Sequence, residues 1–262
     1  MARFKLFIEY EGTRYSGWQI QKNARTIQGE LTDAIGAVLA TRDFELYGSG
    51  RTDAGVHALR QVAHLEANTV LSTDVLRMKI NDGLPADINV LHIEKAPPRF
   101  HARLHALSRS YVYQISRRRT AFGKRYVWWI KDRLNIDRMR SAAQLFVGMK
   151  DFRSFTADDP EEKSTRVHIK NIQVSERGDL ILMRITGSHF LWKMARQMVG
   201  AIVEVGRGKL TLNDLKNFLT IASDIPAKLT APPSGLFLER VYYEGDKELD
   251  RLEPVLHIGS ER

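Results

Sequence analysis

A single carboxylate held between glycines is the part of this chain best suited to chemistry. Residues 49–58 read SGRTDAGVHA, which places Asp53 between Gly50 and Gly55 with Arg51 two residues earlier. Glycines allow a backbone to approach its surroundings more closely than side chains permit. A short acid on such a loop could therefore be presented to a substrate. The alternative is an ordinary turn in which Asp53 bonds its own backbone.

Arg196 is the second candidate. Apolar residues recur on one broad face of a helix predicted over residues 190–205. The other face carries Lys193, Arg196, Gln197, Gly200 and Glu204. This second face is either solvated, or it places Arg196 in a cleft where its guanidinium pairs with a carboxylate. An arginine fork supplies directional bidentate hydrogen bonds that lysine cannot.

Tyr111 is the third candidate, on a predicted strand face that it shares with Tyr113. A strand tyrosine commonly packs against its cross-strand neighbours. Alternatively, its ring is exposed and stacks on a nucleobase, an interaction worth about 1–3 kcal/mol per base.

Metal and thiol chemistry find little support in the sequence. The chain has no cysteine, which excludes disulfides, thiol catalysis and thiolate metal sites. His101 and His105 are four residues apart, but no third ligand accompanies them, so we expect no metal site. The glycines match neither a dinucleotide-binding fingerprint nor a P-loop.

The charge balance points to a polyanionic partner. Forty Lys and Arg against 31 Asp and Glu give a net charge of +9. Such a balance suits RNA, DNA or an anionic membrane surface, although it also occurs in basic proteins with no such partner. The N-terminus lacks a signal-peptide core, and no apolar run approaches the roughly 18 residues that span a bilayer. We therefore expect a cytoplasmic protein without membrane contact.

Strands dominate both halves of the chain, and helices do not alternate strictly with them. This pattern favours an α+β protein with mostly antiparallel sheet over a doubly wound parallel fold. The two prolines after Ala96 form the best candidate boundary. We therefore expect two α/β domains, residues 1–97 and 98–262, on either side of a central cleft. Strands are predicted at 4–10, 44–47, 61–65, 88–93, around 111–115, 169–174, 180–185 and 236–242, and helices near 27–39, 75–80, 136–146, 190–205 and 215–219.

Motifs along nearly the whole chain resemble the tRNA pseudouridine synthase A family. The segment 50–58 matches the family's signature loop throughout, and residues 10–21, YEGTRYSGWQIQ, resemble its first motif with Glu11 where aspartate is common. Further matching segments are RTIQGE at 25–30, FHAR at 100–103, RSYVY at 109–113, DFRSF at 151–155 and the proline-rich stretch at 231–236.

The resemblance implies roles for individual residues. Asp53 would be the catalytic aspartate, Arg196 would pair with it, and Tyr111 would contact the target base. Leu236 would line the pocket, and Arg51 would hold the RNA backbone or fill the space that the flipped base vacates. Residues 117–129 are shorter and more basic than is usual for the family.

The implied activity is cofactor-free isomerisation of uridine in the anticodon stem-loop of tRNA, at positions 38, 39 and 40, by a homodimer. Asp53 could attack the sugar or the base, or remove a sugar proton. Two rival functions stay open at this point. One is a non-catalytic basic RNA-binding protein, and the other is a small-molecule acid–base enzyme such as a glycosidase.

Overall fold

The computed structural model describes residues 1–157 and 164–257. It contains two compact units, the first formed by Met1–Leu107 with Phe237–Lys247 and the second by Ser108–Leu236 with Glu248–Arg262. Both units combine helices with mostly antiparallel strands, so the predicted α+β class is confirmed. None of the helices in the described ranges has the length and apolar content that crossing a bilayer requires.

The first unit is a sheet with two helices packed together. Its strand order is β4-β1-β3-β10, and β2 also pairs with β3. The β3–β10 pair is parallel, and the pairs of β1 with β3, β1 with β4 and β2 with β3 are antiparallel. The elements are β1 Ala2–Tyr10, α1 Ile27–Leu39, β2 Glu45–Gly48, β3 His57–Ala67, α2 Thr73–Gly83, β4 Ile88–Lys95 and β10 Leu236–Tyr242.

Local capping sets the start of both helices in this unit. The side chain of Thr26 accepts a hydrogen bond from the Gly29 N–H and begins α1, as the sequence predicts. For α2 the sequence favours Thr73 or Asp74 as the cap, and that prediction is wrong. Ser72 is the cap, because its side chain accepts from the Val75 N–H and Thr73 already lies in the helix.

The second unit is a sheet of order β5-β9-β8-β7, with β6 pairing β5 in parallel. The sequence ERGD at 176–179 predicts a hairpin turn between two strands. This is confirmed, since β8 and β9 are antiparallel and connect through residues 178–179. Helix α3 packs on β8 and on α4. The elements are β5 Ser108–Ser116, β6 Trp128–Trp129, α3 Ile136–Gln144, β7 Gly148–Asp151, β8 Arg166–Arg177, β9 Leu180–Gly187, α4 Met194–Gly206, α5 Leu212–Phe218 and α6 Ile225–Lys228.

Helix α4 departs from the sequence prediction in two ways. It begins at Met194 rather than near Phe190, because Lys193 adopts a left-handed conformation with φ of 61°. Two residues of its expected polar face are also buried, since Gln197 is 1% exposed and Gly200 is buried. The chain around Leu229 lies directly on Gly200, which explains why a small residue stands there.

A first prediction concerns this close approach. A Cβ added at Gly200 would press on the backbone carbonyl of Leu229, so we expect Gly200→Ala to lower the free energy of unfolding by about 1–3 kcal/mol. Urea denaturation followed by circular dichroism measures this. The control is Gly36→Ala in α1, where the new Cβ meets only the flexible Arg42 side chain, at 3.1 Å. Equal midpoints for both variants would contradict the packing argument.

A second prediction concerns the buried His64 of β3. Its Nδ1 accepts a hydrogen bond from the Ala102 N–H at 3.2 Å, and its side chain is 1% exposed. Burial, with the nearby His101 and Arg3, lowers the pKa of His64 from 6.5 to about 4. The unfolded chain therefore binds the proton more readily. This contribution to stability is complete above pH 6.5 and is lost as the pH falls towards 4.

The urea midpoint measured from pH 7.5 to 4.5 checks this expectation. Asn at position 64 keeps an acceptor for the Ala102 N–H without a titrating ring, so His64→Asn should show a smaller loss of stability across this range. His92→Asn, at an exposed position of β4, should keep the pH dependence of the parent protein. Parallel curves for parent and His64→Asn would rule out His64 as the source.

Candidate active site

The loop that carries Asp53 connects β2 to β3 and rests on the N-terminal segment around Gly17. Gly17 has a φ of +93°, and a Cβ there would lie 2.5 Å from the Thr52 carbonyl oxygen and 3.1 Å from the Asp53 carbonyl carbon. Only glycine combines this backbone angle with this proximity at low cost. The backbone on either side of the carboxylate is thus set by direct contact with another backbone.

Hydrogen bonds fasten the two segments together. The Trp18 N–H donates to the Thr52 carbonyl at 3.1 Å, and the Gly55 N–H donates to the Tyr15 carbonyl at 3.3 Å. The hydroxyls of Tyr10 and Thr52 lie 2.9 Å apart in a buried setting. These bonds hold the loop on both sides of Asp53.

His57 closes the loop at its C-terminal end. Its side chain is 2% exposed, and Nδ1 accepts a hydrogen bond from the Gly12 N–H at 3.0 Å. The imidazole stacks on the Phe237 ring with centroids 4.7 Å apart. A Cβ at Gly12 would collide with the Val56 carbonyl, so here too the segments touch through their backbones.

A buried glutamine fixes the start of the loop. The Ser49 hydroxyl donates to Gln61 Oε1 at 2.7 Å, and Gln61 Nε2 donates to the Gly50 carbonyl at 3.2 Å. Gln61 is fully buried on β3. The loop is therefore held at its beginning, middle and end.

Within this frame, Asp53 is half-buried and Arg51 is exposed. Arg51 Nε donates to Gln19 Oε1 at 3.1 Å, and both residues line a small groove. Tyr47 and Arg103 also line this groove. The groove thus has one arginine from the loop that carries Asp53 and a second, Arg103, from outside it, which suits an anionic substrate.

In the second unit, Arg196 is tied to the segment that precedes β10. Its Nε donates to the Ala231 carbonyl at 2.7 Å, and the Ala231 N–H donates to the Arg196 carbonyl at 3.1 Å. The side chain is half-buried, so it does not lie on a fully solvated face. The Nε–H edge of the guanidinium is therefore used to hold the Arg196 side chain in place.

Tyr113 anchors the same segment. Its hydroxyl donates to the Pro232 carbonyl at 2.8 Å, and Gly235 lies so close that a Cβ there would sit 2.7 Å from the ring. Burial raises the pKa of Tyr113 well above its ordinary value, and the charge of Arg196 opposes this shift. Leu236 follows directly and is 4% exposed.

Tyr111 lies two residues before Tyr113 on β5 and is 9% exposed. Its ring meets Phe190 edge to face, with centroids 4.8 Å apart. The packing expected of a strand tyrosine is therefore present. Contact with a target base, which the resemblance implies, stays a prediction.

The sequence-predicted residues thus fall into two groups. Asp53 and Arg51 belong to the first unit, whereas Tyr111, Arg196 and Leu236 belong to the second. The pairing of Asp53 with Arg196 stays a prediction.

Sequence reasoning did not single out Gln61, Gln19 or Phe190. The one available signal was the position of Gln19 inside the motif at residues 10–21. Across residues 1–157 and 164–257, no three His, Cys, Asp or Glu side chains gather as a metal site would require.

Comparison with known proteins identifies the family to which the chain is similar. The family model described as tRNA pseudouridine synthase matches residues 6–104 and 142–244. A solved structure of a Cbf5-Nop10-Gar1 complex aligns with 76% of this chain and 54% of that one, at 13% identity and a TM-score of 0.35.

Similar proteins named tRNA pseudouridine synthase A come from several bacteria. The one from Afipia carboxidovorans is 40% identical over 246 residues, which is 93% of this chain and all of the relative. Those from Rhodopseudomonas palustris and Geobacter sp. are 41% and 38% identical, again over 93% of this chain and nearly all of each relative. With its signature loop in place and its relatives covered from end to end, the chain belongs to the tRNA pseudouridine synthase family.

Proposed function

We propose that this protein isomerises uridine to pseudouridine in the anticodon stem-loop of tRNA, at positions 38, 39 and 40, with Asp53 as the reacting carboxylate. Family membership supports the reaction class, and the relatives' shared name supports tRNA as substrate. The observation that carries the assignment is the loop at Asp53, whose backbone is held in place by Gly17 and by bonds to Tyr15 and Trp18.

The reaction needs a positioned carboxylate and no change of oxidation state. The bond from ribose C1′ to base N1 breaks, the base rotates, and C1′ joins C5. The C5 proton leaves and N1 gains one, so atoms and electrons balance without an oxidant or a reductant. Asp53 acts either as nucleophile at the sugar or the base, or as the base that removes a sugar proton.

The other predicted residues take supporting roles in this proposal. Arg196, already held by Ala231, pairs with Asp53 and orients its carboxylate. Tyr111 contacts the flipped base, and Leu236 lines its pocket. Arg51, hydrogen-bonded to Gln19, holds the RNA backbone or fills the space that the base leaves.

The substrate must be flipped out of its stack, which costs a few kcal/mol. Attraction between the +9 chain and the phosphates offsets part of that cost, and recognition relies mostly on shape and backbone. We propose that the enzyme acts in the cytoplasm, as a homodimer with one tRNA lying across both subunits.

A third prediction tests the carboxylate. Asp53→Asn should abolish tritium release from tRNA labelled at uridine C5, because it removes the charge at the reaction centre only. Affinity for tRNA, measured by filter binding, should stay close to that of the parent. The matched control is Asp43→Asn, at an exposed position in the α1–β2 connection, which should react normally. Substantial release by Asp53→Asn would overturn the assignment.

A fourth prediction tests the guanidinium. Arg196→Lys keeps the charge but not the fork, so we expect a loss of roughly 10-fold or more in kcat, with a larger loss for Arg196→Ala. Circular dichroism confirms folding, since both changes also remove the bond to Ala231. Arg166→Ala, on an exposed position of β8, serves as control. Normal turnover by folded Arg196→Ala would exclude a role in the reaction.

A further inference from the structure

The connection between β5 and α3, residues 117–134, holds a disproportionate share of the positive charge. It has seven Lys and Arg against a single acid, Asp132, a net charge of +6 in a chain whose total is +9. This segment, termed the basic arm, lies outside the residues matched by the family model. Its role is therefore not given by the family assignment.

The only acid of the basic arm does not offset these cations. Asp132 lies 2.8 Å from Arg207 Nε, outside the arm. Arg117 and Arg118 pair with Glu176 and Asp179 of the β8–β9 hairpin and fasten the start of the arm. Within the described part of the chain, Arg119 and Lys124 have no carboxylate within 4.0 Å.

Aromatic rings alternate with these cations. Phe122 is completely exposed and Trp129 is 43% exposed. The Arg119 guanidinium lies over the Trp129 ring, 5.8 Å from its centroid. Val70 is as exposed as Phe122, so exposure alone means little. What distinguishes Phe122 is its place in the sequence between Arg119 and Lys124, neither of which has a carboxylate within 4.0 Å among the described residues.

The arm is nevertheless anchored to the sheet that carries Tyr111. Trp128 and Trp129 pair with Ile115 and Ser116 of β5, and the Trp128 ring meets Tyr113 edge to face at 6.3 Å. Gln114 Nε2 also donates to the Tyr126 carbonyl at 3.0 Å. A surface attached in this way keeps a fixed position relative to the strand of the proposed base-contacting tyrosine.

We propose that the basic arm is a second contact surface for the tRNA substrate, in which Phe122 stacks on an unpaired base while Arg119 and Lys124 bind flanking phosphates. An unpaired nucleotide offers an apolar base face, and the phosphates on either side of it are anionic. An exposed ring that is flanked in the sequence by two cations complements this pattern. This inference rests on the proposed function for the identity of the RNA.

A fifth prediction measures the affinity for unmodified tRNA by filter binding. Phe122→Ala should raise Kd by about 5- to 150-fold through loss of stacking, and Phe122→Tyr should restore most of it. Arg119→Ala with Lys124→Ala should reduce the slope of log K against log salt by about 1.4–1.8, as two phosphate contacts would. At saturating tRNA, kcat should be unchanged in all three, because the arm does not touch the reacting atoms.

The matched control is Lys79→Ala with Lys216→Ala, which removes two exposed cations elsewhere. An unchanged Kd in the arm variants, or an equal loss in the control, would overturn the proposal. The proposal would also be overturned if the arm variants kept their tRNA affinity but changed in molar mass by light scattering, because the arm would then contact a second copy of this chain. Failure of the parent to release tritium would instead refute the proposed function, and the binding measurement would still test the arm.

Discussion

The contact of one backbone with another at Gly17 is the constraint on which the proposed site depends. Side chains can adjust their rotamers, but a carbonyl that lies against a glycine has no such freedom. The Thr52 and Asp53 backbones therefore take their position from the N-terminal motif rather than from the loop itself. The proposed reaction needs a carboxylate that is positioned before the substrate arrives, and this contact fixes the backbone that carries Asp53.

The second unit positions its side chains by a similar device. Arg196 and Tyr113 each donate to a carbonyl of the Ala231–Pro232 segment, and Gly200 and Gly235 let the chain around that segment approach α4 and β5. The glycines and prolines of both units thus serve contacts between distant parts of the chain.

Local patterns predicted the helices and strands well, because apolar alternation and helix capping depend on residues that are close together in the sequence. The strand Leu236–Tyr242 and the Thr26 cap follow the sequence. Helix α4 did not follow the prediction, since Gln197 is buried and Gly200 lies against the chain near Leu229, a contact that no periodicity reveals. At the site, the motif identified Asp53 as a candidate, but Gln61 and Phe190 act through partners distant in sequence, and such pairings are decided only by folding.

The parallel pairing of β3 with β10 has a consequence for how the protein is made. His57, at the end of the Asp53 loop, pairs in the sheet with Phe237, so most of the chain must be synthesised before this pair can form. Until then the first unit lacks one strand of its sheet, and the edge of β3 at His57 and Ala58 is without this partner strand. A nascent chain stopped before residue 237 would hold the signature loop but not the strand that completes it, which makes the maturation of the loop a late event in synthesis.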